Sequence, residues 1–313
     1  MDNCQDNLEN ILKDLVIKKL GKDVDYLTRM NSSRDNLVYL DKKQKYIIKV
    51  SLGKPLEDIR EEIRLLAYLS DNKFPCPKVV YQFEILFEER VFPVVVTEYI
   101  KHKPIVRVMD ISSSQIKLAA ETLCRLHSLT RSYCKIYSYS QVRTFDEDIV
   151  ALKTGIEEKK YTAANSHDIH KSLSWALEFF DSQNATGAEY VLHNDYRFGN
   201  VLFTEDGQLA SVIDFDWAIR SSFIVKDIAH SALEWSFEDG QSLSLLNYKL
   251  FIDTYMKNAL GSFTASYKTI REWVMFSAIA DAAHYFLYNP DRLDKKFESY
   301  MYDKYEYFRD HEI

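Results

Sequence analysis

The sequence predicts an α+β chain in two lobes, a small β-rich N-terminal lobe and a larger, mostly helical C-terminal lobe, with a connector near residues 97–104. Three observations predict it. Before residue 100, short runs rich in Val, Ile, Tyr and Phe are separated by charged turns, the pattern of hairpins. After residue 100, apolar residues recur at helical spacing in one segment after another. At 313 residues the chain is long for a single core and long enough for two.

The elements follow in order. Leu8, Ile11, Leu12, Leu15, Val16 and Leu20 share one helical face, and Gly21 caps that opening helix. LVYL (37–40) and KYIIKVS (45–51) flank the polar turn DKKQ as a hairpin. Glu57 to Leu69 returns to helical spacing, and the PCP at 75–77 is expected to end it, because proline cannot continue a helix. VVYQFEILF (79–87) and VFPVVVTEYI (91–100) form a second hairpin around a charged turn. Ser112 and Gln115 make a capping box for the next helix. Helical patterns then cover roughly 144–160, 168–182, 242–260, 265–288 and 292–309. One hairpin interrupts them, NVLF and LASVID around Asp206-Gly207.

Composition excludes several classes. With 46% hydrophobic and 28% charged residues the chain is an ordinary globular one. A net charge of −7 and the lack of a basic stripe argue against nucleic acid as a partner. Residues 1–100 are nearly neutral at −1, and the remainder carries −6, a bias that suits a cationic substrate and equally a solvated acidic surface. The four cysteines are scattered without metal-ligand spacing, which reads as reduced thiols in a cytoplasmic protein. The polar, acidic N-terminus is neither a secretory signal nor a transit peptide. The apolar segment from Trp273 to Tyr288, interrupted by Asp281 and His284, is too short for a membrane span and reads as a buried helix. No membrane partner is expected, and oligomeric state is not legible.

The chemistry concentrates between residues 191 and 217, VLHNDYRFGNVLFTEDGQLASVIDFDW. Asp195 follows His193 by two, Asn200 follows Asp195 by five, and Asp214 ends the next apolar run. That is the spacing of the catalytic loop and metal-binding aspartate in protein kinases. Asp195 is the candidate general base for an attacking hydroxyl. Asn200 and Asp214 are candidate ligands for Mg²⁺, which prefers oxygen donors, and Asp216 is a further candidate for a second ion. Arg197 either neutralises the phosphoryl group in transfer or pairs with a nearby carboxylate. His193 reads as a packed brace of the loop. Asp227 is either an N-cap of the helix DIAHSALEW or a brace of the same loop.

The N-terminal lobe (1–100) is then the nucleotide-binding lobe, and residues 101–313 form the catalytic and substrate-binding lobe. Lys49, in the strand YIIK, is the candidate for the α- and β-phosphates of ATP, with GTP an alternative donor. Glu62 is favoured over Glu61 as the carboxylate that orients it. Ser32 and Ser33 are candidate phosphate-loop donors. The backbone of Glu98, Tyr99 and Ile100 is the candidate hinge for the nucleobase. Glu234, Trp235, Glu238, Asp239 and Asp281 are candidate contacts for a small, amine-bearing substrate. Asp281 lies in an apolar helix, where an ionised group needs a partner such as His284 or a polar pocket.

Taken together, KYIIKVS, REEIRLLAYLSDNKFPCPKV, VVVTEYI, LCRLHSL, HNDYRFGNVLF, VIDFDWA and DIAHSAL resemble the aminoglycoside phosphotransferase and choline kinase-like family of small-molecule kinases. The resemblance runs over about 40–235. It implies a bilobal, protein kinase-like fold, ATP and Mg²⁺ as cofactors, and phosphorylation of a hydroxyl on a small molecule: an aminoglycoside, choline or ethanolamine, or an amino-acid-like alcohol. Two departures stand out: no glycine between Gly21 and Gly53 for a phosphate loop, and Asn194 where the family has glycine. The first keeps a second reading open, a catalytically silent nucleotide-binding scaffold. A protein kinase is disfavoured because only twelve residues separate Asp214 from Asp227 and no A-P-E follows.

Overall fold

A computed structural model of the chain describes residues 2–21, 26–30, 36–138, 144–162, 166–184, 187–238, 242–259, 265–288 and 302–311, without the side chains of 2–7, 166–167 and 238. The chain divides into two compact units. One comprises Met1–His102 with Ala210–Ile213, the other Lys103–Leu209 with Asp214–Ile313.

The first unit is built on strands β1 (Leu27–Arg29), β2 (Asn36–Asp41), β3 (Tyr46–Ser51), β4 (Val79–Phe87) and β5 (Arg90–Glu98). They form one antiparallel sheet in the order β1-β2-β3-β5-β4. Both predicted hairpins are present. Asp41 holds the first turn, accepting from the amides of Lys43, Lys45 and Tyr46. Because side chains alternate along a strand, Ile48 and Val50 of β3 turn to one face. There they join Tyr39, Val94 and Val96 and the helix α1 (Asp2–Leu20), whose Leu12 and Val16 complete the core. Lys49 takes the opposite face, in register with Val38 and Val95 on the neighbouring strands.

Helix α2 (Leu56–Asp71) carries acidic residues in its first turn, where the helix dipole favours them, and buries Ile59, Leu65, Leu66 and Leu69. Its end corrects the expectation from PCP. Asn72 caps it, Lys73 is left-handed at φ 57°, and bonds from Lys73 N to Ser70 O and Phe74 N to Leu69 O close a Schellman motif. Pro75 serves a different purpose, since its carbonyl accepts from Val212 N.

The second unit is mostly helical: α3 (Ser113–Tyr133), α4 (Glu147–Glu157), α5 (Ser166–Ser182), α6 (Ile224–Glu234), α7 (Leu245–Asn258), α8 (Tyr267–Leu287) and α9 (Asp303–Asp310). The Ser112–Gln115 capping box is present in both directions. Helix α8 packs against α4, α5, α6 and α9, which accounts for its nearly continuous apolar sequence. Among the described residues, no helix is long and apolar enough to cross a membrane.

Two short strands absent from the sequence expectation organise the site. β6 (Tyr190–Leu192) pairs antiparallel with β9 (Ile219–Ser221), with Leu192 opposite Ile219. Antiparallel pairing sets the segment leaving β6, beginning at His193, beside the segment entering β9, which contains Asp214–Trp217. β7 (Val201–Phe203) and β8 (Leu209–Val212) are the strands of the predicted hairpin, whose turn is closed by Thr204 N to Gln208 O.

Candidate active site

In the first unit, Lys49 Nζ donates to Glu62 Oε1 at 2.7 Å, with both side chains largely buried. Glu62 is thus the partner, and Glu61 bonds Arg64 instead. At the hinge, two of three candidate amides are already engaged: Glu98 N donates to Lys78 O and Tyr99 N to Lys45 O. Those two amides are engaged within the first unit itself. Among the described residues only the Ile100 N–H of these three has no hydrogen-bond partner. Ser32 and Ser33 lie outside the described residues.

In the second unit, the loop from His193 to Asn200 is fixed by buried contacts with α3 and α6. Asp227, fully buried on the first turn of α6, accepts from His193 N and Asn194 N at 2.9 Å each and faces His127 Nε2 at 2.9 Å. A carboxylate can only accept, so His127 Nε2 carries the proton of that contact. His127 Nδ1 in turn lies 2.8 Å from Tyr255 OH, linking α3 and α7 to the loop. Of the two roles open to Asp227, the brace is the one observed, since α6 starts at Ile224 with Phe223 as its cap residue. Burial alone would raise its carboxyl, but the His127 bond and the charges of His193 and Lys226 hold it at about 2.

The loop carries its own bracing as well. Asn194 is left-handed at φ 62°, the conformation that glycine or asparagine adopts at least cost, so its place in a glycine position is physically consistent. Tyr196 OH donates to Ala119 O. His193 is fully buried and packs its ring 4.7 Å from that of Phe215, tying the loop to the Asp214–Trp217 turn.

Asp195 is held by two neighbours. Asn200 Nδ2 donates to Asp195 O at 2.9 Å and to Oδ2 at 2.8 Å, and Arg197 Nε donates to Oδ2 at 3.3 Å. Of the two roles open to Arg197, pairing with a carboxylate is therefore the one observed. Two acceptors fix the Asn200 amide with its nitrogen toward Asp195, which leaves Oδ1 as its acceptor for other groups. Asp214 is exposed and left-handed at φ 65°. Asp216 is half-buried two residues further on, in the 3₁₀ turn Phe215–Trp217.

Asp195 lines a cavity of about 450 Å³ whose walls all belong to this unit. Glu234 and Asp281, expected from the sequence, line it too. Asp281 Oδ2 lies 3.0 Å from His230 Nδ1, not against His284, which instead bonds Asp148 on α4. Burial opposes ionisation at both members of the Asp281–His230 pair, yet each outweighs it for the other. The carboxyl is held at about 2, and the imidazole is raised above its ordinary value. Glu234 is likewise disfavoured by burial but lowered by Lys304, whose Nζ donates to Oε1 at 2.9 Å.

Trp235 requires a correction. It is 0% exposed, donates Nε1 to Tyr196 O at 3.1 Å and packs on Phe251, so it supports the loop from behind and does not meet the cavity. Adjacent helical positions lie about 100° apart, which sends Glu234 and Trp235 different ways. Glu238 is in a short strand with its side chain outside the description, and Asp239 lies outside the described residues. The cavity also holds residues that sequence reasoning missed: Asp148, Trp217, Lys226, His230 and Tyr285. Only Trp217 had a nearby signal, following directly on Asp214-Phe215-Asp216.

Among the described residues no three His, Cys, Asp or Glu side chains cluster as a self-sufficient metal site. The donors present are nevertheless hard oxygens, the Asn200 amide and the Asp214 carboxylate. This fits Mg²⁺, which binds through one or two protein ligands plus phosphate oxygens rather than an all-protein cage.

Residues 27–250 match the sequence profile of the phosphotransferase enzyme family. No curated protein is a significant sequence match. Among solved structures, choline kinase LicA from Streptococcus pneumoniae is similar at 17% identity and a TM-score of 0.64, covering 97% of this chain and 98% of that one. A putative aminoglycoside phosphotransferase from Ralstonia eutropha is similar at 11% identity and a TM-score of 0.66, covering 96% and 98%. APH(2″)-IIIa in complex with GDP and kanamycin is similar at 14% identity and a TM-score of 0.69, covering 95% and 97%. At these identities the likeness is one of fold, a kinase-like antiparallel sheet followed by a helical region.

Proposed function

The chain belongs to the phosphotransferase enzyme family and is a small-molecule kinase, and on that premise we propose that it transfers the γ-phosphoryl group of ATP to a hydroxyl of a small, amine-bearing molecule. The observation that carries this reading is the position of Asp195. It lies in a cavity of about 450 Å³ shared with Asp148, Glu234 and Asp281, under the aromatic rings of Trp217 and Tyr285. Carboxylates and aromatic faces are the groups that receive an ammonium.

In this reading Asp195 accepts the substrate hydroxyl proton, and Asn200 and Arg197 hold its carboxylate in place. Lys49, oriented by Glu62, holds the triphosphate, and Ile100 N–H offers the nucleobase a donor. Asn200 and Asp214, with Asp216 as a further oxygen ligand, would hold Mg²⁺. When bound, that ion neutralises charge on the transferring phosphate. The fold neighbour complexed with GDP keeps GTP in view as an alternative donor.

The test is stoichiometric. Incubating the protein with Mg·ATP and a panel of amino alcohols, amino-acid alcohols and aminoglycosides is expected to yield ADP and a phosphate ester in equal amounts, and EDTA is expected to abolish both. ATP binding without transfer to any panel member would favour the silent scaffold instead. Lys49→Met should raise the KM for ATP by roughly 10- to 100-fold, the worth of one charge-assisted hydrogen bond, with the KM for the acceptor within a few-fold. Equal changes in both constants would remove Lys49 from the nucleotide site.

A further inference from the structure

The cavity's carboxylates each face a basic side chain. Asp195 is paired with Arg197, Glu234 with Lys304, Asp281 with His230 and Asp148 with His284. A fifth basic side chain is placed differently. Lys226 on α6 lines the same cavity, is 2% exposed, and has no carboxylate within ion-pair distance among the described residues. Its ammonium donates to the neutral Asn194 Oδ1 and lies 5.1 Å above the Phe145 ring. The carboxylate next to it in sequence, Asp227, uses its oxygens on His127 and on the His193 and Asn194 amides, and it and Asp281 feel the Lys226 charge from beyond ion-pair distance.

A buried ammonium is costly unless an anion compensates it. The charges of Asp227 and Asp281, an amide oxygen and an aromatic face supply that compensation without saturating the ammonium, and two of its three donors remain for a group inside the cavity. Asn194, bonded to Lys226, directly precedes Asp195, so this ammonium and the proposed base line one cavity.

We propose that Lys226 is a subsite for a carboxylate of the substrate, so that the acceptor is a hydroxyl compound bearing both an amine and a carboxylate, a hydroxylated amino acid. The proposal rests on the small-molecule kinase reading above and selects among its substrate classes.

Binding is measured by calorimetry on the full chain without nucleotide, so that no transferring phosphate can occupy the subsite. The probes are matched pairs differing only in the carboxylate: L-serine and ethanolamine, L-homoserine and 3-amino-1-propanol, L-threonine and 1-amino-2-propanol. In the wild type, one pair should show a roughly 10- to 100-fold preference for the carboxylate-bearing member. Lys226→Met should erase that ratio, and Lys226→Arg should restore part of it. No preference in any wild-type pair overturns the proposal whatever the variants do. A preference that survives Lys226→Met overturns the assignment to this residue, since a purely structural role weakens both members alike. Turnover with Mg·ATP is recorded in parallel. Turnover without carboxylate preference sinks the subsite alone, and preference without turnover sinks the kinase reading alone.

Discussion

Asp195→Asn is expected to lower kcat by roughly 10²–10⁴-fold, the range a positioned general base supplies, while ATP affinity stays within a few-fold of wild type. The geometry makes this substitution cleaner than alanine. Asn200 Nδ2 donates both to Asp195 O and to Oδ2, so an amide oxygen in the Oδ2 position keeps the stronger side-chain bond. What changes is the second atom, Oδ1, replaced by an NH₂ that cannot take a proton and that meets Arg197 Nε, which lies 3.2 Å from Oδ1 as well. Arg197 is 47% exposed and can turn to solvent, so that conflict costs about 1 kcal/mol or less. Fold and nucleotide site should therefore survive while turnover fails. Single-turnover transfer from Mg·ATP, with nucleotide affinity measured separately, checks both halves. A variant that keeps a tenth or more of wild-type kcat removes Asp195 from the role of base.

The sequence carries the parts of this site that are local and loses those that are not. The spacing His193-x-Asp195 and Asn200 is read within eight residues, and the structure places those three on one braced loop. The capping box of α3 is equally local, a reciprocal contact across three residues. Glu62 was separable from Glu61 because only one of two successive helical positions can face the sheet bearing Lys49. The failures are of another kind. β6 and β9 have three residues each, too few for alternation to register, yet their pairing is what sets the 193–200 loop beside Asp214. The cavity wall comes from α4, α6 and α8, helices that are not consecutive in the chain and whose relative placement no local spacing records. Asp281 illustrates the loss: helical spacing offers His284 three positions on, but α4 supplies Asp148 to that imidazole and α6 supplies His230 to the carboxylate. Lys226 was invisible because nothing in IVKDIAHSALE marks which polar side chain turns inward from a helix buried almost throughout.

Asp227→Asn should be the most damaging substitution remote from the reacting atoms, because three donors converge on one fully buried carboxylate. An isosteric amide turns its NH₂ against a backbone donor whichever way it flips, His193 N at the Oδ2 position or Asn194 N at the Oδ1 position. Breaking a buried, charged hydrogen-bond set of this kind costs about 3–5 kcal/mol, and at about 2–4 °C per kcal/mol the thermal midpoint should fall by roughly 10 °C. Activity should fall as well. His193 N and Asn194 N position the residue immediately before Asp195, and a displacement near 1 Å at a reacting group costs on the order of 10²-fold. The pH dependence separates this account from general destabilisation. The Asp227 carboxyl is held at about 2, below its ordinary value of 3.8. A depressed carboxyl contributes stability that is fully present above the ordinary value and is lost as pH falls toward the depressed one. That contribution is on the order of 2 kcal/mol. The gap in unfolding free energy between wild type and Asp227→Asn should accordingly be widest from pH 5 upward and shrink by about that amount between pH 5 and pH 2. Denaturant unfolding of both proteins across that window reads it directly. A gap that stays constant would mean that the carboxylate charge contributes nothing and that the loop is held by shape alone.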